Sequence, residues 1–212
     1  MQLSAPATAY NLSFTAASLR PELGRIMAEH YLTTSDWQAT RKWVLSTNAL
    51  QCRSSTSAIR MEAELRKRLQ SLTAEQVKIM AQATEDDRIA IAWLAAMKHS
   101  AILFDFAAEV LREKLALHDP VLRPSDYETF VHQQSASHPQ LTELSALSRN
   151  KIRQVLLNML SEAGILKNGP GMGTIHRPVL SPQLVQVISA DNSRRLAGFL
   201  VPDSEISLPR TP

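Results

Sequence analysis

The sequence predicts an all-α protein, a compact helical bundle with two helix-turn-helix motifs, the C-terminal one winged with a short β-hairpin. Only 6 of the 212 residues are glycine, while alanine, leucine, arginine and glutamate, which favour helix, are common. Apolar residues recur at spacings of three and four along most of the chain. The one strong hairpin signal is the glycine cluster between residues 164 and 173, which follows a long amphipathic pattern.

The chain is expected to divide into five regions. Residues 1–18 are predicted to form an N-terminal arm, and 19–83 a helical region that contains the first helix-turn-helix. Residues 84–124 are predicted to form a central helix pair, and 125–190 the winged helix-turn-helix. Residues 191–212 include three prolines and are expected to form an extended tail.

The prediction of the C-terminal motif depends on one long amphipathic segment between Ser148 and Gly164. Ser148 is the predicted N-cap of this helix, and Gly164 is predicted to end it, because glycine enters the left-handed region without a steric penalty. A short helix is predicted upstream, over Leu141–Leu147, and a β-hairpin downstream. This order is typical of a winged helix-turn-helix, which places the N-terminal half of its second helix in the DNA major groove.

The polar side chains of this motif form a candidate DNA-binding set. They cluster at the start of the long helix and on the predicted wing, and they are Arg149, Asn150, Lys151, Arg153, Lys167 and Arg177. Basic residues at a helix N-terminus oppose the helix dipole. Their clustering there indicates a surface that faces an anionic partner.

A second candidate motif lies nearer the N-terminus. Helices are predicted over residues 36–48 and 54–72, joined by a short break, and the second begins with four consecutive hydroxyl residues. Hydroxyls and free backbone N–H groups at a helix start suit a phosphate group. An ordinary N-cap within a helical bundle explains the same serines equally well. The candidate DNA-binding residues here are Arg53, Ser57, Arg60 and Lys67.

Charge is unevenly distributed along the chain. The formal net charge is only +3, but residues 41–70 carry seven basic and two acidic side chains. Residues 84–128 carry five basic and nine acidic side chains, and residues 139–177 carry five basic and two acidic ones. Two basic segments, each overlapping a candidate helix-turn-helix, therefore flank an acidic one.

Several kinds of chemistry are not indicated. The single cysteine, Cys52, excludes a disulfide within the chain and fits a reducing cytoplasm. The six histidines have no metal-ligand spacing, and the glycines of 169–173 neither precede a GK[ST] motif nor open a helix. The longest apolar tract, 89–111, is interrupted by charged residues, so no membrane span is expected. We expect no catalytic centre, metal or cofactor.

Five stretches together resemble the BrxA family of bacteriophage exclusion (BREX) phage-defence systems. They are SFTAASL (13–19), DWQATRKWVL (36–45), SSTSAIRMEAELRKRLQSLT (54–73), FDFAAEVLREK (104–114) and LSRNKIRQVLLNMLSEAGIL (147–166). The resemblance implies an all-α protein with two basic helix-turn-helix motifs, DNA binding, and an operon that also encodes a methyltransferase and ATPases. Ala58 and Ile59 stand where a further cation is expected, which favours phosphate contact over base reading by the first motif.

The sequence thus predicts a non-enzymatic, cytoplasmic component of a BREX system that binds double-stranded DNA. Other BREX proteins are expected as further partners, and no dimerisation helix is evident, so a monomer is expected. The alternative is a helical adaptor that docks other defence proteins without touching DNA, with the acidic segment 84–128 as a docking surface. A transcriptional autoregulator, which would require a dimer on half-sites one helical turn apart, is a third hypothesis.

Overall fold

The computed structural model describes residues 10–206 and confirms the predicted all-α architecture. The helices of the N-terminal half are α1 (Pro21–Thr34), α2 (Trp37–Thr47), α3 (Ser55–Gln70), α4 (Ala74–Gln82) and α5 (Glu85–His99). Helix α1 packs on α2 and α4, and α3 packs on α2 and α5. The apolar centre lies on α5, where Trp93, Leu94 and Met97 are fully buried.

Side-chain caps fix where several of these helices begin. The Asp36 carboxylate accepts the N–H of Gln38 at 2.7 Å, at the start of α2. Thr73 and Gln76 form a reciprocal capping box at the start of α4. These contacts satisfy N–H groups that have no partner within the helix.

The central helix pair bends sharply at Ser100. Helix α6 (Ala101–Asp105) continues through a π-helical turn (Phe106–Leu111) into α7 (Arg112–Ala116), and this stretch meets α5 at 117°. Within residues 10–206 no single helix has the length and apolar character of a membrane span. Only α5 and 101–116 taken together pass that test, across this bend and on length and composition alone.

The C-terminal region combines helices with a small antiparallel sheet. Its elements are β1 (Val121–Leu122), α8 (Pro124–Ser135), α9 (Ala146–Glu162), β2 (Leu166–Lys167), β3 (Gly173–Ile175) and α10 (Pro182–Asn192). The strand order is β1-β3-β2, with Leu166 opposite Ile175 and Leu122 opposite Gly173. The β2–β3 hairpin that follows α9 matches the predicted wing.

Glycine shapes the end of α9 and the hairpin. Gly164 has a φ of 69°, and the Ile165 N–H donates to the Leu160 carbonyl at 2.9 Å, which ends the helix as predicted. Gly173 has a φ of 132°, and a Cβ there would lie 2.7 Å from the Lys167 carbonyl oxygen. Only glycine fits where β3 begins.

The start of the winged region differs from the sequence prediction. No separate helix forms over Leu141–Leu147: Leu141 ends a three-residue 3-10 turn, Pro139–Leu141, residues 142–145 are not helical, and Ala146 and Leu147 already belong to α9. The full helix that precedes α9 is α8. Helix α9 begins one turn earlier than predicted, because Ser145 and not Ser148 is its N-cap. Both serines fit a cap pattern, so the sequence offered two starts.

The predicted extended tail, which began at residue 191, is wrong for residues 191–206, and α10 already covers the first two of them. Ser193–Phe199 forms a 3-10 helix and α11 (Asp203–Ile206) follows it. Leu196 and Phe199 are buried, and the Trp93 indole N–H donates to the Gly198 carbonyl at 2.9 Å. Burial of this apolar run outweighs the turn preference of the nearby proline. The remainder of the predicted tail, 207–212, lies outside the described residues.

The predicted N-terminal arm also packs against the core where it is described. Tyr10 is buried, and Phe14, within a 3-10 helix over Ser13–Ala16, is 0% exposed. Residues 1–9 of that arm lie outside the described residues. The part of the arm that can be seen is therefore a component of the fold.

Candidate nucleic-acid interface

The N-terminus of α3 carries the first group of predicted binding residues. The Ser54 hydroxyl caps the helix by accepting the Ser57 N–H at 3.2 Å, and the two hydroxyl oxygens lie 3.0 Å apart. Arg53 precedes the cap, Arg60 follows Ser57 by one turn, and both are exposed. We call Arg53, Ser54, Ser57 and Arg60 the α3 tip.

The N-terminus of α9 has the same arrangement. The Ser145 hydroxyl accepts the Ser148 N–H at 3.2 Å, again with 3.0 Å between the hydroxyl oxygens. Arg149 and Lys151 are exposed just beyond it, and Lys151 stands three residues after Ser148, as Arg60 does after Ser57. We call Ser145, Ser148, Arg149 and Lys151 the α9 tip.

Sequence reasoning missed Ser145 as part of this site. Its signal was present, because Ser145 and Ser148 repeat the Ser-x-x-Ser spacing of Ser54 and Ser57. Asn150 was predicted and lies exposed on the first turns of α9. Its side-chain oxygen accepts a hydrogen bond from Arg153 at 3.3 Å, so it orients that arginine.

Most of the predicted cations have no carboxylate partner in the described part of the chain. Of the eight predicted arginines and lysines, six have no Asp or Glu oxygen within 4.0 Å among residues 10–206, and these are Arg53, Arg60, Lys67, Arg149, Lys151 and Lys167. Ten of the other fourteen described arginines and lysines do have such a partner. Unpaired charge is concentrated where binding was predicted.

Two predicted cations are paired within the molecule. Arg153 lies 3.3 Å from a Glu128 carboxylate oxygen on α8, with both side chains partly exposed. Arg177 is held by two hydrogen bonds to Glu205 on α11, the longer of them 2.8 Å. The guanidinium of Arg177 lowers the pKa of the Glu205 carboxyl below its usual value. Arg177 is therefore occupied by the C-terminal segment.

Arg177 and Lys67 also stand apart from the two tips. Arg177 lines a groove of about 630 Å³ together with Arg112 and Asp203. Lys67 is exposed, but it lies ten residues after Ser57 on the same helix, about 15 Å along the axis.

Among the described residues, no group of three His, Cys, Asp or Glu side chains could hold a metal ion.

The chain is similar to known proteins along most of its length. The BrxA family profile matches residues 8–192. "BREX protein BrxA" of Escherichia coli O9:H4 (strain HS) is 29% identical over 176 residues, which cover 83% of this chain and 82% of the relative. "BREX protein BrxA" of Bacillus cereus (strain H3081.97) is 25% identical over 146 residues, 69% of this chain and 73% of the relative.

A solved structure shares the fold. The crystal structure of an uncharacterized protein from Magnetospirillum magneticum superposes with a TM-score of 0.80 at 20% identity, covering 91% of this chain and 98% of that one. The family match spans both tips and the helices between them. With this extent of sequence agreement, the chain belongs to the BrxA family.

Proposed function

We propose that this protein is a non-enzymatic component of a BREX phage-defence system that binds double-stranded DNA through the α3 tip and the α9 tip. The family match supports a place in a BREX system. DNA is the partner that the surface chemistry favours, because duplex DNA presents closely spaced phosphates to cations and helix N-termini.

The observation that carries this proposal is the coincidence of unpaired cations with capped helix starts. At each tip two exposed cations have no carboxylate within 4.0 Å among residues 10–206, and they stand within about two helical turns of the cap. A cation at a helix N-terminus costs a few tenths of a kcal/mol against the helix dipole. A phosphate placed there offsets that cost and also accepts the free N–H groups.

The orientation expected of the bound state follows from the winged topology. Helix α9 would present its first two turns to the major groove, and the β2–β3 hairpin would bring Lys167 toward the backbone. Arginine and lysine suit phosphates as well as base edges, so sequence preference is expected to be slight.

A titration of the full chain against unrelated duplexes at several salt concentrations tests the proposal. The logarithm of the binding constant should fall with the logarithm of salt by about 0.9 for each phosphate neutralised. Arg149→Ala combined with Lys151→Ala should weaken binding by about 1–3 kcal/mol and reduce the slope by about 1.8. The cause would be the loss of two phosphate contacts.

The matched control is Lys78→Ala combined with Arg194→Ala. It removes the same formal charge from exposed positions on α4 and on the 3-10 helix Ser193–Phe199, two elements that carry neither tip. If the two double variants lose the same affinity for duplex DNA, the loss is due to net charge alone and not to the α9 tip. If the full chain gives no gel shift with duplex DNA at low salt, the proposed DNA binding is wrong.

The adaptor alternative is favoured by a different observation. Leu117 and Val179 are apolar side chains that are 74% and 96% exposed. A contiguous exposed apolar patch marks protein–protein contacts, and the adaptor alternative requires these two side chains to belong to one. If Leu117→Ser and Val179→Ser abolish co-purification with other BREX proteins while duplex binding is absent in the parent, the adaptor is the better description.

A further inference from the structure

The N-terminal segment Ser13–Leu19 lies between the two helices that carry the tips. Its 3-10 helix, Ser13–Ala16, contacts both α3 and α9. Phe14 is 0% exposed and Leu19 is 2% exposed, so the segment is anchored in the core at both ends. The segment is therefore placed to set how α3 and α9 are oriented to one another.

On the α3 side, the Arg68 side chain binds the backbone of this segment. The guanidinium donates to the carbonyls of Ser18 at 2.7 Å, Ala17 at 2.8 Å and Phe14 at 3.0 Å. It also donates to a Glu64 carboxylate oxygen at 2.9 Å, and its side chain is only 3% exposed. A planar guanidinium can satisfy several acceptors at once, which a lysine ammonium in this place could not do in the same geometry.

On the α9 side, Glu162 holds the other end of the segment. Its carboxylate accepts the Leu19 N–H at 2.6 Å, from the last residue of α9. The C-terminal halves of α3 and α9 thus meet the same short stretch of chain. Both tips lie at the opposite ends of their helices.

We infer that Arg68 and Glu162 are positioning residues for duplex binding, holding the two tips in one fixed relative placement. This inference rests on the proposed function. Helix α3 has 16 residues and is about 24 Å long, so a 10° tilt at its fixed end would move its tip by about 4 Å. A rigid placement lets one duplex engage both tips without the entropic cost of ordering them.

Glu162→Ala and Glu162→Gln form a matched pair of variants. Both remove the same charge from an exposed position, but glutamine keeps a carbonyl oxygen that can accept the Leu19 N–H. If the contact positions the tips, the alanine variant should bind duplex on the order of tenfold more weakly than the glutamine variant. Arg53→Ala with Arg60→Ala should then cost less in the alanine background than in the parent.

A second measurement needs no DNA. Spin labels on Thr56→Cys and Leu147→Cys, in a Cys52→Ser chain, report the distance between the two helix starts. The parent and Glu162→Gln should give one narrow distribution, and Glu162→Ala a broader one. Arg68→Lys should broaden it as well, if that variant folds.

The outcomes separate this inference from the proposed function. Steep salt-dependent binding by the parent, with equal affinities and equal distance distributions for the two Glu162 variants, overturns the positioning role alone. A parent that binds no duplex overturns the proposed function, and with it the positioning role in binding, even if the distance distribution is narrow.

Discussion

The α3 tip and the α9 tip begin alike and then diverge. Both start with a Ser-x-x-Ser cap of the same dimensions, and both place a cation three residues after the second serine. Beyond its first two turns, α3 uses its arginines internally, with Arg66 on the buried Glu62 at 2.7 Å and Arg68 on Glu64 at 2.9 Å. The arginines of α3 thus divide into an exposed one, Arg60, near its start and two paired ones near its end.

In α9 the basic residues all lie in the N-terminal half. Among residues 10–206 only Arg153 of these three basic residues reaches a carboxylate, and its partner Glu128 belongs to a neighbouring helix and is itself exposed. The C-terminal half of α9 is apolar on its inner face, with Met159 and Leu160 fully buried. The density of positive charge along a helix therefore does not show how many of its cations are free, because burial and pairing decide that.

The largest expected effect comes from the buried end of α3. Arg68→Met should lower the free energy of unfolding by about 3–5 kcal/mol, because it leaves Glu64 buried without its cation and takes the guanidinium donor from the Phe14, Ala17 and Ser18 carbonyls, of which Phe14 keeps the Ala17 N–H. Denaturant unfolding would measure this. Arg60→Met, on the same helix but exposed, should change stability by no more than about 0.5 kcal/mol.

A double variant sharpens this result. Arg68→Met combined with Glu64→Leu should recover part of the loss, since the unpaired buried carboxylate is then gone. If the double variant is less stable than Arg68→Met alone, the carboxylate is not the source of the cost.

The next effect concerns duplex binding by the two tips. Arg53→Ala with Arg60→Ala should reduce the salt slope by about 1.8, as at the α9 tip, if each cation neutralises one phosphate. Melting temperature should stay the same or rise slightly, because neither side chain has a carboxylate partner among residues 10–206 and Arg53, beside the cap, opposes the helix dipole. An unchanged slope would show that the α3 tip is only a capped helix start.

The Ser54 and Ser145 caps should contribute equally to the free energy of unfolding. Ser54→Ala and Ser145→Ala each remove an acceptor 3.2 Å from a first-turn N–H, at a cost of about 1 kcal/mol in the free energy of unfolding. Threonine at either position should restore most of the loss. A clearly unequal pair of losses would break the equivalence of the two tips.

The smallest effect is local and depends on pH. Arg177 lowers the pKa of Glu205, so the pair contributes to stability above the usual Glu pKa and is lost as pH falls through the lowered value. Arg177→Gln should return the Glu205 carboxyl to its ordinary value near 4.5 in an NMR titration. An unshifted midpoint would mean that the pair does not form in solution.

The sequence predicted the helices and the wing because their signals are local. Apolar periodicity placed α9, and Gly164 marked its end. The predicted start of α9, with Ser148 as the N-cap, was wrong by three residues, because Ser145 fits the same cap pattern and is the residue that caps the helix. The cations predicted at the two helix starts, such as Arg60 and Arg149, are exposed in the structure, and their role in binding stays a prediction.

The sequence could not show the pairing of residues whose partners are distant along the chain. Lys67 and Arg68 are neighbours, yet one is exposed and the other is buried against carbonyls about 50 residues away. Backbone acceptors leave no signature in the side-chain pattern. Likewise Arg177 pairs with Glu205 across 28 residues, in a segment whose prolines had suggested an extended chain.

The contact between Leu19 and Glu162 has a consequence for synthesis of the chain. These residues are 143 positions apart, so during translation the segment around Leu19 is made long before its acceptor, Glu162, at the end of α9. Translation proceeds at roughly 5–20 residues per second, which gives an interval of about 7 to 30 seconds. Leu19 and its neighbours therefore leave the ribosome well before their full set of contacts can form.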